Sequence, residues 1–118
     1  MLNTNLTHVL SEQEHAKLLQ ENENVMICCG RMGPMCIPVY EVMEEIENEY
    51  TNVKFADMEF DTADAKVIRN LPEVRGFQGI PFVIYYKNGK VVKATSGIQT
   101  RDQIIVILDK EFAVTVNA

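Results

Sequence analysis

The chain has no run of lysine or arginine. At a net charge of −6 it repels phosphate backbones and anionic membrane surfaces, so nucleic acid is not an expected partner. No apolar run approaches the roughly 20 residues that cross a bilayer, and no membrane partner is expected. No lysine or arginine precedes Lys17 and no long apolar segment lies near it, which argues against a signal peptide. The expected localisation is cytoplasmic, where thiols stay mostly reduced. The paired Cys/His spacings of zinc sites are missing, and "GRMG" lacks the Gly-Lys-Ser/Thr ending of a phosphate loop. No cofactor is therefore called for. Repeats, low-complexity segments and Gly/Ser/Pro-rich linkers are absent too. Residues 1–118 read as one domain, a length that suits a single core.

What is present alternates in type. "LTHVL" (6–10) reads as a short strand. Ser11 and Glu14 form a capping-box pattern ahead of a helix to about Gln20. "VMICC" (25–29) is an apolar run of strand length, fit for a strand buried on both faces. Pro34 suits the first turn of a helix. Val39, Val42, Met43, Ile46 and Tyr50 then recur at helical spacing, with Glu41, Glu44, Glu45 and Glu47 on the wet side. A strand over 52–61 and a weaker helix over 62–71 follow, the helix stopping before Pro72. "IPFVIYY" (80–86) is a strand opened by a proline. Asn88-Gly89 predicts a hairpin back into "VVKAT" (91–95), and Gly97 a bend. Thr100 and Gln103 repeat the capping-box pattern before a last helix over 101–112. The tail 113–118 is left unassigned. The order predicts an α/β fold with a mixed sheet, parallel early and antiparallel in its last two strands, with helices on both faces.

All three cysteines, Cys28, Cys29 and Cys36, fall in "MICCGRMGPMC" (26–36). Clustered thiols in a reducing compartment point to redox chemistry or metal binding rather than to structural staples. Single buried cysteines are commonly small hydrophobes. His8 and His15 read as surface residues. Asp57, Glu59, Asp61 and Asp64 lack the spacing of a calcium loop and read as solvated.

Several segments resemble the thioredoxin family. "EEIENEY" (44–50) is similar to the end of its long helix. "GIPFVIYYKNGKVV" (79–92) is similar to its segment from the cis-proline through the final hairpin. "SGIQTRDQIIVILD" (96–109) is similar to its closing turn and helix. The resemblance implies a thioredoxin fold, a central five-stranded mixed sheet flanked by four helices. It implies a cis-proline at Pro81, preceded by Ile80, and exchange with protein thiols and disulfides, with electrons from a reductase.

The family signature Trp-Cys-Gly-Pro-Cys is not present. Counting back from "EEIENEY" without gaps puts Cys36 at the resolving cysteine and Gly33 at the attacking one. Matching Gly33-Pro34 to the family's Gly-Pro puts Met32 and Met35 at the two cysteines, at the cost of an insertion in a helix. The ungapped register also puts Ile27 at the family's buried acid and Cys29 at a tryptophan beside the site. Alternation along the strand then turns Ile27 and Cys29 toward the long helix and Cys28 away from it.

Three readings follow. The first is a thiol–disulfide oxidoreductase with a displaced pair, Cys29 and Cys36, and a substrate groove formed by Gly33, Pro34, Ile80 and Pro81. Arg31 is a candidate to stabilise a thiolate. The second is a redox-inactive binding domain that uses the cis-proline groove and an apolar surface of Met32, Pro34 and Met35. The third is soft-metal binding by Met32, Met35, Cys36 and Cys29; in the preferred first reading no metal is bound. The oligomeric state stays open.

Overall fold

A computed structural model describes residues 1–113, so all but the first residue of the unassigned tail lies outside it. Five strands form one sheet in the order β1-β3-β2-β4-β5. They are β1 (Thr7–Val9), β2 (Asn24–Gly30), β3 (Lys54–Glu59), β4 (Phe82–Lys87) and β5 (Lys90–Ser96). β3 runs parallel to both β1 and β2, while β4 is antiparallel to β2 and to β5. Four helices flank the sheet: α1 (Glu12–Glu21), α2 (Ile37–Ile46), α3 (Lys66–Arg69) and α4 (Arg101–Glu111). This is the expected thioredoxin fold. β2 lies at the centre, paired on both sides, and every one of its residues is buried. A continuous apolar run suits that position, since neither face meets water.

Local chemistry explains the boundaries. Ser11 Oγ accepts the Glu14 N–H at 3.1 Å and starts α1. The Glu14 carboxylate reaches back to the Leu10 N–H at 3.2 Å, one residue before the expected Ser11. Thr100 and Gln103 form the complete capping box, at 3.2 and 2.8 Å. Asn88 and Gly89 both have positive φ, 51° and 77°, as a primed hairpin turn requires. The weak helix over 62–71 splits into a 3₁₀ turn at Ala63–Ala65 and the single turn of α3. α2 is shorter than expected at both ends. Residues 34–36 form a turn in which the Gly33 carbonyl accepts the N–H groups of Cys36 and Ile37, at 3.1 and 3.0 Å. The helix proper begins only at Ile37 and ends at Ile46.

The sheet divides the core in two. On one face Met26, Cys28, Phe55, Val83 and Tyr85 pack against Val39, Tyr40, Met43 and Ile46 of α2, and Ile104 and Leu108 of α4. On the other, Val25, Ile27, Cys29, Ala56, Met58 and Ile84 pack against Leu18 of α1 and Ile68 of α3. The apolar stripe of α2 is thus core as expected, with Val42 and Tyr50 at its margin.

Two expectations are corrected here. Asp57 is not solvated: it is 1% exposed. Its carboxylate accepts the Thr4 hydroxyl and meets His8 Nδ1 at 2.7 Å. His8 is therefore tied to the sheet, and His15 Nε2 meets the Tyr86 hydroxyl at 3.0 Å. Neither is a free surface group. The burial of Asp57 follows from its register, opposite His8 on β1 and Cys28 on β2.

Candidate functional site

The site is built where β2 ends and α2 begins. Cys36 is the N-cap of α2. Its Sγ accepts the Arg31 N–H at 3.4 Å. A helix N-terminus carries partial positive charge and unpaired N–H groups, which favour a thiolate. Burial works the other way and raises the Cys36 pKa, while the Arg31 N–H and guanidinium pull it down. The guanidinium itself is engaged by Asp61 through two bonds, Nε at 2.7 Å and Nη2 at 2.8 Å. It also stands over the Phe60 ring, 5.4 Å from the centroid. Arg31 thus serves Cys36 mainly through its main chain.

The other two thiols are sealed. Cys28 and Cys29 have no exposure, against 1% for Cys36, and all three are free thiols. Burial pushes the Cys29 thiol from 9.0 up to about 12, against an opposing pull from Arg69. Burial also holds the Cys28 thiol well above its ordinary value, with Cys36, Cys29 and Asp57 adding to the shift. Of the three, Cys36 is the one whose environment supplies a donor to the sulfur.

The ungapped register turned Ile27 and Cys29 toward α2. The structure turns them away: both lie in the core beneath α1 and α3, and Cys28 lies with Cys36 beneath α2. A register moved by one residue has this effect. Side chains alternate along a strand, so moving the register by one exchanges its faces. The position beneath Cys36 therefore belongs to Cys28.

The cis peptide bond is Ile80–Pro81, as the resemblance implied. Pro81 is buried and Ile80 half-buried, packed at the edge of both cores. The Pro81 carbonyl accepts the Gly97 N–H at 3.0 Å, which fixes the loop to the bend after β5. Gly33 is half-buried and Pro34 exposed. A Cβ added at Gly33 would meet nothing within 4 Å. Met32 and Met35 are 44% and 48% exposed, flanking the turn that leads to Cys36.

One residue that sequence reasoning passed over ties the site together. A Cβ on Gly30 would sit 2.7 Å from Cys36 Sγ, 2.8 Å from Tyr40 Oη and 3.1 Å from Pro81 Cβ. Gly30 closes β2 with its missing side chain pointed at the thiol, the phenol and the cis-proline at once. Tyr40 escaped notice as well, although its place four residues after Cys36 puts both on one helix face. Among the described residues no three His, Cys, Asp or Glu side chains are grouped to hold a metal ion. With Cys29 under the opposite face, the four soft ligands considered above do not all line one face of the sheet.

A cysteine at a helix N-terminus, set beside a cis-proline on a five-stranded mixed sheet, places this molecule in the thioredoxin fold class. The thioredoxin family model matches residues 6–110. Thioredoxin-3 of Dictyostelium discoideum is 27% identical over 90 residues, covering 76% of this chain and 82% of that protein. A Plasmodium falciparum thioredoxin structure superposes with a TM-score of 0.75 at 22% identity, covering 90% of this chain and 99% of the other. The oxidised mitochondrial thioredoxin 3 of Saccharomyces cerevisiae superposes with a TM-score of 0.73 at 15% identity, covering 89% and 94%. The chain belongs to the thioredoxin family, a family of thiol–disulfide oxidoreductases. Its fold carries no helix, among the described residues, long and apolar enough to cross a membrane.

Proposed function

We propose that this protein exchanges thiols with disulfides on protein partners, with Cys36 as the reacting sulfur. The observation that carries the reading is the placement of Cys36 Sγ: at the N-terminus of α2, accepting the Arg31 N–H, and beside Pro81 across Gly30. The Cys36 thiolate attacks one sulfur of the partner's disulfide and releases the other as a thiol. A second cysteine then attacks the mixed disulfide, leaving the protein oxidised and the partner reduced by two electrons. A reductase restores the dithiol. A reducing compartment such as the cytoplasm suits that cycle.

The second sulfur was sought at Cys29. The shared face of Cys28 and Cys36 supports Cys28 for this role instead. Either pairing needs Cα atoms within roughly 7 Å, and Cys36 must lift toward solvent to meet a partner. Gly33, Pro34 and Ile80 form the rim on which an extended peptide would lie, with Pro81 beneath it.

The test is oxidation followed by intact mass and peptide mapping in the parent protein and in two variants, Cys28→Ser and Cys29→Ser. Loss of the disulfide in Cys28→Ser but not in Cys29→Ser assigns the pair to Cys28 and Cys36. The reverse restores Cys29. If the oxidised protein forms no intramolecular disulfide, and Cys36 forms no mixed disulfide with a disulfide peptide, the exchange reading is lost.

A second reading is favoured by one observation: the thiols are sealed while Met32 and Met35 lie open. In it the same rim binds partner peptides without electron transfer, the methionines adapting to varied apolar side chains. A triple Cys→Ser variant that binds a disulfide-free partner peptide as tightly as the parent protein supports this second reading.

A further inference from the structure

Tyr40 is 2% exposed, and its hydroxyl has no hydrogen-bond partner among the described residues. A buried hydroxyl left unpaired costs roughly 1–3 kcal/mol. Tyr40 is also where two elements converge. Its N–H bonds the Cys36 carbonyl at 3.2 Å, one helical turn back. Its Oη and Cys36 Sγ both lie within 2.8 Å of the one point where a Gly30 side chain would stand. Both atoms therefore border the same point beside the strand, with no hydrogen bond between them in the resting state. Around it pack Met26, Val39, Met43 and Val83, with Cys28 and Tyr85 in the same layer.

We propose that the Tyr40 hydroxyl is the hydrogen-bond donor that holds the Cys36 sulfur in its ionised form, across the hollow left by Gly30. The inference rests on Cys36 being the exchanging thiol. The resting thiol makes no demand on the phenol, which is why its oxygen stands alone. When the Cys36 proton leaves to water, the ionised sulfur draws the O–H, and the two atoms move together to hydrogen-bond distance. Hydrogen bonds to ionised acceptors are the stronger kind. The thiolate then attacks the partner disulfide. The sulfur–sulfur bond breaks, its electron pair goes to the leaving sulfur, and that sulfur takes a proton from water. Tyr40 keeps its own proton throughout. Burial holds the phenol well above its usual range, so it stays a donor at every pH where the protein works.

The site's remaining polar neighbours do not offer this service from below. Asp57 carries no proton to give when ionised and is taken by Thr4 and His8. Cys28 is a weak donor held protonated by burial. Arg31 contributes its N–H from the loop side. Tyr40 completes the set from the helix side.

The experiment is the pH profile of Cys36 alkylation by iodoacetamide, in a Cys28→Ala/Cys29→Ala background, with and without Tyr40→Phe. Phenylalanine keeps the ring and removes only the lone hydroxyl, so the melting temperature should hold or rise. The expected result is an upward shift of the Cys36 titration by about one pH unit, with the rate near neutrality falling about tenfold. Superimposed profiles overturn the proposal. Gly30→Ala, which drives a methyl group between the two atoms, is the second variant and should shift the profile the same way. Disulfide exchange is read separately, with a small aromatic disulfide and the unmodified protein. No exchange by Cys36 there defeats the functional reading itself, whereas exchange with an unshifted Tyr40→Phe profile defeats only the role of Tyr40.

Discussion

Cys28 stands opposite Asp57 across the β2–β3 ladder, both within 1% of complete burial. The thiol thus sits in an apolar layer beside a carboxyl group already engaged by Thr4 and His8, and the carboxylate disfavours its ionisation further. Only the thiolate is nucleophilic. Near neutral pH, Cys28 and Cys29 should therefore resist iodoacetamide in the native protein, Cys36 should react first, and all three should react in denaturant. Peptide mapping after a timed pulse reads the order. Labelling of Cys28 ahead of Cys36 would contradict the burial argument.

Cys29 makes stability depend on alkaline pH. Its folded pKa is raised to about 12, while the unfolded thiol ionises near 9.0. Between those values the unfolded chain has lost its proton and the folded one retains it. The stabilising contribution is complete below pH 9 and is lost as pH rises toward 12, at about 1.4 kcal/mol per unit. Cys29→Ala lacks the titration. Relative to that variant, the parent should lose roughly 2 kcal/mol between about pH 8 and about pH 10.5, measured from urea midpoints. A constant difference between the two would remove the linkage.

Gly33 offers the simplest gain of function. The space beside it is open, its φ is not positive, and its carbonyl already bonds the Cys36 N–H in a turn. The ends of such a turn lie within about 7 Å, inside disulfide reach. Gly33→Cys should create a C-x-x-C dithiol that closes under mild oxidant and reduces a protein disulfide at least tenfold faster than the parent. Thiol counts before and after oxidation check the first part, and insulin turbidity the second. A variant that folds but keeps both thiols free would show that the turn holds the sulfurs apart.

Gly30→Ala should destabilise the fold by about 1–3 kcal/mol, the usual cost of forcing a methyl group into a filled core. The contacts it meets, at 2.7, 2.8 and 3.1 Å, come from the first turn of α2 and from the cis-proline loop, which hold the methyl group from two sides. Thermal melts of variant and parent give the number. No loss of stability would mean that Tyr40 or Cys36 relaxes freely.

The elements of this fold were largely legible because each carries its own punctuation. Ser11 and Thr100 announce two helices, Asn88-Gly89 announces a turn, and the stripe on α2 shows its buried side. The site was less legible. Two adjacent cysteines on one strand differ only by alternation, and a count that is off by one residue exchanges their faces without disturbing any other feature of the pattern. That is how Cys28 and Cys29 changed places. Asp57 was misread for a related reason: its burial comes from partners on β1 and in the segment before it, far away in sequence. Gly30 left no signature and Tyr40 only its spacing from Cys36, because what matters is the absence of an atom in one and an unpaired oxygen in the other.

Positions 30, 36 and 40 behave as one composite residue. The sulfur and the ring oxygen both border the volume that an ordinary side chain on the strand would claim. A larger residue at 30 can be admitted only if the ring at 40 is shortened or the thiol at 36 withdrawn. Among descendants of this chain, substitutions at these three places should travel together, and a strand-end glycine should mark the copies that keep both tyrosine and cysteine.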